Sequence, residues 1–270
     1  MQLARAFDDA PASWLVSLHD DVPPEADVIV CGREIDIEGA VPFDPQTPQL
    51  AIAEVQKRAQ ARSVGRRIFV CGATGGSGAT TLALHLAAAG RACVVEASGS
   101  GVRRRLELAS ARSWPTATDE EPAPLPVSPG LRVLLAPKSS TIEDARWIVD
   151  RAASAFSSVI VDCESRNVEE LVAPGDIGVL VTLPTRPAIE RAKEILGVDG
   201  PRWAVVTNRT GPGGCLTRRR LEVLLDQRIA IELPCSAALR DAEDEGGLLT
   251  SPMSPWWWKV KRLWRALETA

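Results

Sequence analysis

The stretch from Arg66 to Ala89 constrains this chain more than any other. A buried β-run, Ile68 to Cys71, enters the turn Gly72-Ala73-Thr74-Gly75-Gly76-Ser77-Gly78, and the chain leaves on an apolar helix, Thr80 to Ala89. Glycines let an anion approach the backbone, and a helix N-terminus presents unpaired N–H groups to it, so strand, turn and helix together form a phosphate cradle. Phosphate-binding loops of this geometry place a lysine directly before the Ser/Thr, where it reaches the β- and γ-phosphates. Here that position is Ala79.

From residue 66 onward strand and helix signals alternate. Apolar strand runs fall at 67–71, 92–96, 131–135, 158–162, 177–182, 202–207 and 229–233, with helical stretches at 80–89, 102–110, 141–154, 186–196, 216–226 and 236–244. Near-continuous apolar strands between helices predict an α/β fold, a mostly parallel, doubly covered sheet of about seven strands. Ligands of such sheets bind at the carboxyl ends of the strands, where the glycine turn falls. Residues 113–130 are proline-rich and read as an irregular surface loop. Residues 1–65 form a short acidic appendage, eleven Asp/Glu against five Lys/Arg. It carries strand candidates at 14–18 and 27–31 and a helix near 49–62. Its receiver-like look is weak, because the second run ends in Cys31-Gly32 where a receiver carries a phospho-accepting Asp. The expected domains are 1–65, 66–253 and a Trp-rich tail, 254–270.

Bulk composition narrows the function classes. A net charge of −4 gives no global pull toward nucleic acid. The six cysteines form no CxxC pair and sit mostly in or beside apolar runs, which predicts reduced thiols of a cytoplasmic protein rather than a zinc site. No basic stretch followed by an apolar core marks a secretory signal, and no run of about 18 apolar residues marks a membrane span.

The glycine turn alone admits three readings: a nucleotide-binding loop, a bare strand–helix turn, and a dinucleotide loop. The last fits Gly72-Ala73-Thr74-Gly75-Gly76-Ser77-Gly78, with Glu96 placed to take a ribose hydroxyl. That last reading implies an NAD(P)-binding, short-chain-dehydrogenase-like protein, whose usual proton donor is a tyrosine; this chain has none.

Residues 66 to about 268 resemble the MinD/ParA superfamily of deviant P-loop ATPases. The family loop Lys-Gly-Gly-x-Gly-Lys-Thr-Thr is matched by Thr74-Gly75-Gly76-Ser77-Gly78-Ala79-Thr80-Thr81, so both lysines are replaced. The acidic pair ending the next strand reads Glu96-Ala97-Ser98, with the second acid gone. Ser158-Val159-Ile160-Val161-Asp162 matches the Walker B strand, Gly178 to Pro184 the strand ending in Pro, Val205 to Arg209 the strand whose Asn contacts adenine, and Ile231 to Pro234 the last strand. Within the superfamily the phrase Gly130 to Pro137 and the Gly-Gly-x-Gly-Ala-Thr-Thr loop look most like CpaE/TadZ pilus-assembly proteins and their septum-site-determining relatives.

The resemblance implies ATP or ADP with Mg²⁺ as cofactor, held by Gly75, Gly76, Ser77, Gly78, Ala79, Thr80, Thr81, Asn208 and Pro234, with Thr80 and Asp162 on the metal. It implies a homodimer closing across the nucleotide face, a protein partner in an assembly or localisation machinery, and little hydrolysis. Each lost lysine removes a charge-assisted contact of about 1.5–3 kcal/mol, and transition-state stabilisation suffers more than binding. One route around that loss is an active partitioning ATPase that recruits Arg103-Arg104-Arg105; the competing reading of the same run is a solvated face. In the tail, Trp256, Val260, Leu263, Trp264 and Leu267 share one helical face, opposite Lys261, Arg262 and Arg265. Such a helix over 256–267 suits the inner membrane surface, the core of the fold, or a partner protein.

Overall fold

The computed structural model of the chain describes residues 30–32, 41–43, 47, 50–51, 65–97, 101–108, 110–115, 123–128, 130–198, 200–210 and 216–269. It divides into two units, residues 1–64 and 65–270. In the first, β1 (Val30–Gly32) and β2 (Val41–Phe43) pair in parallel, with Val41 and Phe43 buried. The expected strand at 14–18 and most of the expected helix at 49–62 lie outside the described residues.

The second unit is built on β3 (Arg66–Gly72), β4 (Cys93–Glu96), β5 (Leu125–Ser128), β6 (Leu131–Leu134), β7 (Ser158–Asp162), β8 (Ile177–Thr182), β9 (Arg202–Thr210) and β10 (Ile229–Pro234). They form one sheet in the order β10-β9-β8-β3-β7-β4-β6-β5, parallel except for β5. All seven predicted strands are present, and β5 is the eighth. It falls inside the stretch read as an irregular loop, which corrects that expectation. Its sequence, Leu-Pro-Val-Ser, carries a proline that a central strand rejects and an edge strand tolerates, because the missing N–H faces away from the ladder.

Side chains of β3 alternate between two cores. Ile68 and Val70 face Leu82 and Leu86 of α1 (Ala79–Gly90). Phe69 and Cys71 face a second layer, which includes Ile148 of α3 (Ile142–Ala155), Ile189 of α5 (Arg186–Leu196) and Leu221 of α6 (Arg218–Leu225). Between these elements come α2 (Gly101–Arg105) and α4 (Val168–Leu171); α7 (Ala237–Asp244) and α8 (Pro255–Glu268) close the chain. The helix predicted over 102–110 is shorter than expected, because Glu107 adopts a left-handed φ of 53°.

The apolar character of α1 explains the tail. Every residue from Leu82 to Ala87 is buried, so this helix needs cover on both sides, not only from the sheet. α8 supplies the second cover: Trp256, Val260, Leu263, Trp264 and Leu267 are all in the core beside α1. The fit is close enough that a Cβ on Gly90 would lie 2.2 Å from the Trp264 ring. Lys259 Nζ donates to the Glu232 carbonyl and ties α8 to β10. The stripe considered for a membrane surface is therefore spent inside the fold, with Trp256 only 2 % exposed. Trp258, 57 % exposed, points outward under Arg262. Among the described residues no helix is long and apolar enough to cross a membrane.

Candidate functional site

The glycine turn leaves the carboxyl end of β3, flanked by β7 and β8 near the middle of the sheet. Ala73 N donates to Val181 O at 2.8 Å and Ser77 N to Thr74 O at 3.2 Å, so the turn has a fixed shape. Gly76 (φ 72°) and Gly78 (φ 93°) take left-handed conformations that other residues resist. Gly75 and Gly76 are exposed, and a Cβ on either would meet nothing within 4 Å. The opposite side of the turn is shut. Ser77 is buried, and a Cβ on Gly78 would stand 2.4 Å from Asn208 Nδ2. Gly78 is the N-cap of α1 and offers no side-chain cap, which leaves the first N–H groups of the helix to the concavity of the turn.

Asn208, expected at the base, turns toward the loop. Its Nδ2 donates to Ser77 O at 2.8 Å and its Oδ1 accepts from Arg209 N at 2.8 Å. Pro234 sits at the carboxyl end of β10, paired with Thr210. Thr81, also expected at the nucleotide, donates its hydroxyl to Glu243 Oε1 at 2.6 Å.

Thr80 and Asp162, expected to share a metal, do come together: Thr80 Oγ1 donates to Asp162 Oδ2 at 2.9 Å. Burial pushes the Asp162 carboxyl up to about 7; the Thr80 bond opposes the shift, and the negative charges of Glu96 and Glu164 reinforce it. Against both groups lies the backbone of Gly101, where an added Cβ would stand 2.8 Å from Thr80 Oγ1 and 3.4 Å from Asp162 Oδ2. Glu96 is fully buried and accepts three backbone N–H bonds. Oε1 takes those of Val102 (2.9 Å) and Arg103 (3.2 Å), and Oε2 takes that of Ala136 (3.1 Å). Burial raises its carboxyl above the usual range and the backbone bonds oppose that. Fully buried and with both oxygens bonded to backbone amides, it is not presented to a ribose. Ser98 lies outside the described residues.

Two arginines of the run are engaged within the fold. Arg103 is bonded to Leu108 O, Ala111 O, Ser113 Oγ and Ala136 O. Arg105 is bonded to Glu243 and to Gly247 O. Arg104 is exposed.

Two further residues brace the loop helix, and neither is marked by any motif or pattern. Glu243 joins Thr81 to Arg105. His85, fully buried in α1, pairs Nδ1 with Thr81 O (2.7 Å), accepts from Leu249 N at Nε2 (3.0 Å) and meets the Trp256 ring edge-on at 4.6 Å. The three buried thiols of the sheet region, Cys71, Cys93 and Cys163, are all pushed up by burial, the first two to about 12.

A glycine loop at a central parallel strand, a Thr–Asp pair beside it and helices on both faces define a phosphate-loop α/β protein. Its fold is that of the MinD/ParA ATPases. The ParA family ATPase from Chlorobium tepidum TLS superposes with a TM-score of 0.63 at 18% identity, over 74% of this chain and 98% of that one. MinD in the MinC:MinD cell division complex of Aquifex aeolicus gives 0.65 at 18% identity, over 76% and 97%. The septum site-determining protein MinD of Pyrococcus horikoshii OT3, complexed with Mg-ADP, gives 0.60 at 14% identity, over 76% and 96%. The sequence matches no protein-family model and no curated protein.

The residues present suit such a ligand unequally. The open side of Gly75–Gly76 and the uncapped start of α1 fit a phosphate. Thr80 and Asp162 are the right groups for Mg²⁺, and Gly101 lies near enough to both that a Cβ on it would press on Thr80 Oγ1.

Proposed function

We propose that this chain is a localisation or assembly factor of the CpaE/TadZ kind, which binds ATP or ADP on a degenerate ATPase site and turns it over slowly or not at all. The observation that carries the reading is the loop itself. Its glycine side is open at Gly75 and Gly76, Ala79 stands at the lysine position, and the side chains of Arg103 and Arg105 are engaged elsewhere. Backbone N–H groups are then the main phosphate contacts, which favours binding over catalysis. The P. horikoshii neighbour is complexed with Mg-ADP and the A. aeolicus one with MinC, which supports a nucleotide ligand and a protein partner for this fold. A homodimer across the loop face and work in pilus assembly or septum placement belong to the same reading.

Calorimetric titration with ADP, ATP and NADPH tests it, alongside phosphate release. Saturable ADP or ATP binding with negligible release is the expected result. Saturable NADPH binding without a response to either adenine nucleotide would overturn it in favour of the dinucleotide reading. Light scattering with and without ATP reads the oligomer.

A further inference from the structure

We propose that Glu96 is a latch that holds α2 over the Thr80–Asp162 pair, so that this site takes nucleotide without Mg²⁺ until the latch opens. The inference rests on the nucleotide-binding reading above for its ligand, but not for its geometry.

Mg²⁺ needs six oxygens in near-ideal octahedral array at about 2.1 Å. The Thr80 hydroxyl can provide one only if the space around it is free. Here Gly101 lies beside that space, close enough that the Cβ of any side chain there would stand 2.8 Å from Thr80 Oγ1. Only glycine permits this approach. The Thr80–Asp162 pair is thus assembled, with α2 packed close against it.

What holds the cover is specific. Both carboxylate oxygens of Glu96 are used, one on the first-turn amides of α2 (Val102 and Arg103) and one on Ala136 N, just past β6. Arg103 Nη2 in turn donates to Ala136 O at 3.3 Å and to Ser113 Oγ at 2.7 Å. Val102 and Leu106 anchor α2 from below in the core around α1. A carboxylate at the end of β4 has been turned from the mouth of the site into its wall. A nucleotide alone can reach the open Gly75–Gly76 side, whereas a metal chelate must first displace α2.

The test uses the full chain with ADP as probe, in Mg²⁺ and in EDTA, plus amide hydrogen exchange over residues 101–108. Wild type is expected to bind ADP with the same affinity in both, within about twofold. Glu96→Ala should speed exchange at Val102 and Arg103 about tenfold or more and make Mg²⁺ tighten ADP about tenfold. Glu96→Gln can keep its oxygen on the α2 amides but sets an NH2 donor against Ala136 N–H, so its exchange should fall between wild type and Glu96→Ala. Gly101→Ala strains the contact between α2 and Thr80, should also speed exchange at Val102 and Arg103, and carries the test of the latch geometry if Glu96→Ala fails to fold. A wild-type affinity that rises tenfold or more with Mg²⁺ sinks the latch. So does unchanged exchange at 102–103 in Glu96→Ala. If no variant binds ADP in either condition, the nucleotide reading fails instead, and the exchange data still decide whether Glu96 holds α2.

Discussion

Asn208 Nδ2 donates to the Ser77 carbonyl at 2.8 Å, a bond that ties β9 to the glycine turn two strands away. The amide fills the volume a Cβ on Gly78 would need, so loop and strand end are fitted to each other. A residue that sequence likeness assigns to the base here supports the glycine turn.

Replacing that support should loosen the loop. Asn208→Ala leaves the buried Ser77 carbonyl unpaired, at a cost of about 1–3 kcal/mol, and weakens ADP binding about tenfold. Asn208→Asp should be worse in both respects, because it faces one acceptor with another and brings negative charge to an anion site. Urea denaturation and calorimetry check the pair. An Asp variant that matches wild type in both measurements would remove Asn208 from the cradle.

His85 makes stability depend on pH. Burial holds its imidazole down at about 4 from 6.5; the Thr81 carbonyl and Glu243 oppose the shift and Arg105 adds to it. Nε2 must stay unprotonated to accept from Leu249 N. The folded pKa lies below the unfolded one, so between pH 6.5 and 4 the unfolded chain binds more protons. The His85 contribution is thus complete above about pH 6.5 and falls by about 3 kcal/mol as pH drops to 4. Asp162, raised to about 7, works in the opposite sense over much of this window. The measurement is therefore a comparison: His85→Leu should be less stable than wild type at pH 7.5 and lose less on acidification to pH 4.5. Parallel profiles for the two proteins would contradict the assignment.

The tail helix gives a contrast between two adjacent-looking tryptophans. Trp256→Ala empties a buried site against α1 and should cost about 3–5 kcal/mol, while Trp258→Ala, on the outer face, should stay within about 0.5 kcal/mol. Trp256 Nε1 has no hydrogen-bond partner among the described residues. Trp256→Phe should therefore cost only about 1 kcal/mol, because it drops an unpaired donor along with some volume. Removing residues 254–270 should expose the outer side of α1 and yield aggregation rather than a clean loss of vesicle binding. Equal and small losses for Trp256→Ala and Trp258→Ala would put the stripe outside the core.

These details show what a sequence can disclose and where it stops. The seven parallel strands were legible because each is a near-continuous apolar run, which only a doubly covered sheet requires. β5 was not, because Pro126 and its proline-rich surroundings outweigh a two-residue apolar alternation. Thr80 and Asp162 could be paired from the loop and the strand that carry them. The work of Glu96 could not, since its partners are backbone amides 6, 7 and 40 positions away and backbone amides leave no mark in a sequence. The apolar stripe of α8 was visible, but the side it serves was encoded elsewhere, in the all-round apolar character of α1.

Ala79→Lys separates the two deficits of this site. Ala79 is half-buried at the first position of α1, beside the open side of Gly75 and Gly76, where a lysine would meet a bound polyphosphate. A charge-assisted contact of about 1.5–3 kcal/mol should tighten ADP or ATP binding about 10- to 100-fold. Hydrolysis needs more than that contact. Both oxygens of Glu96 are committed to amides, and Gly101 lies over Thr80 and Asp162, so neither the acid nor the metal seat is released by a change at residue 79. Turnover should rise less than about tenfold in the single variant and further only when Glu96→Ala is added. Phosphate release under saturating ATP measures this. A thousandfold gain from Ala79→Lys alone would mean that the lysine was the one group missing and that the cover over the metal seat is no obstacle to catalysis.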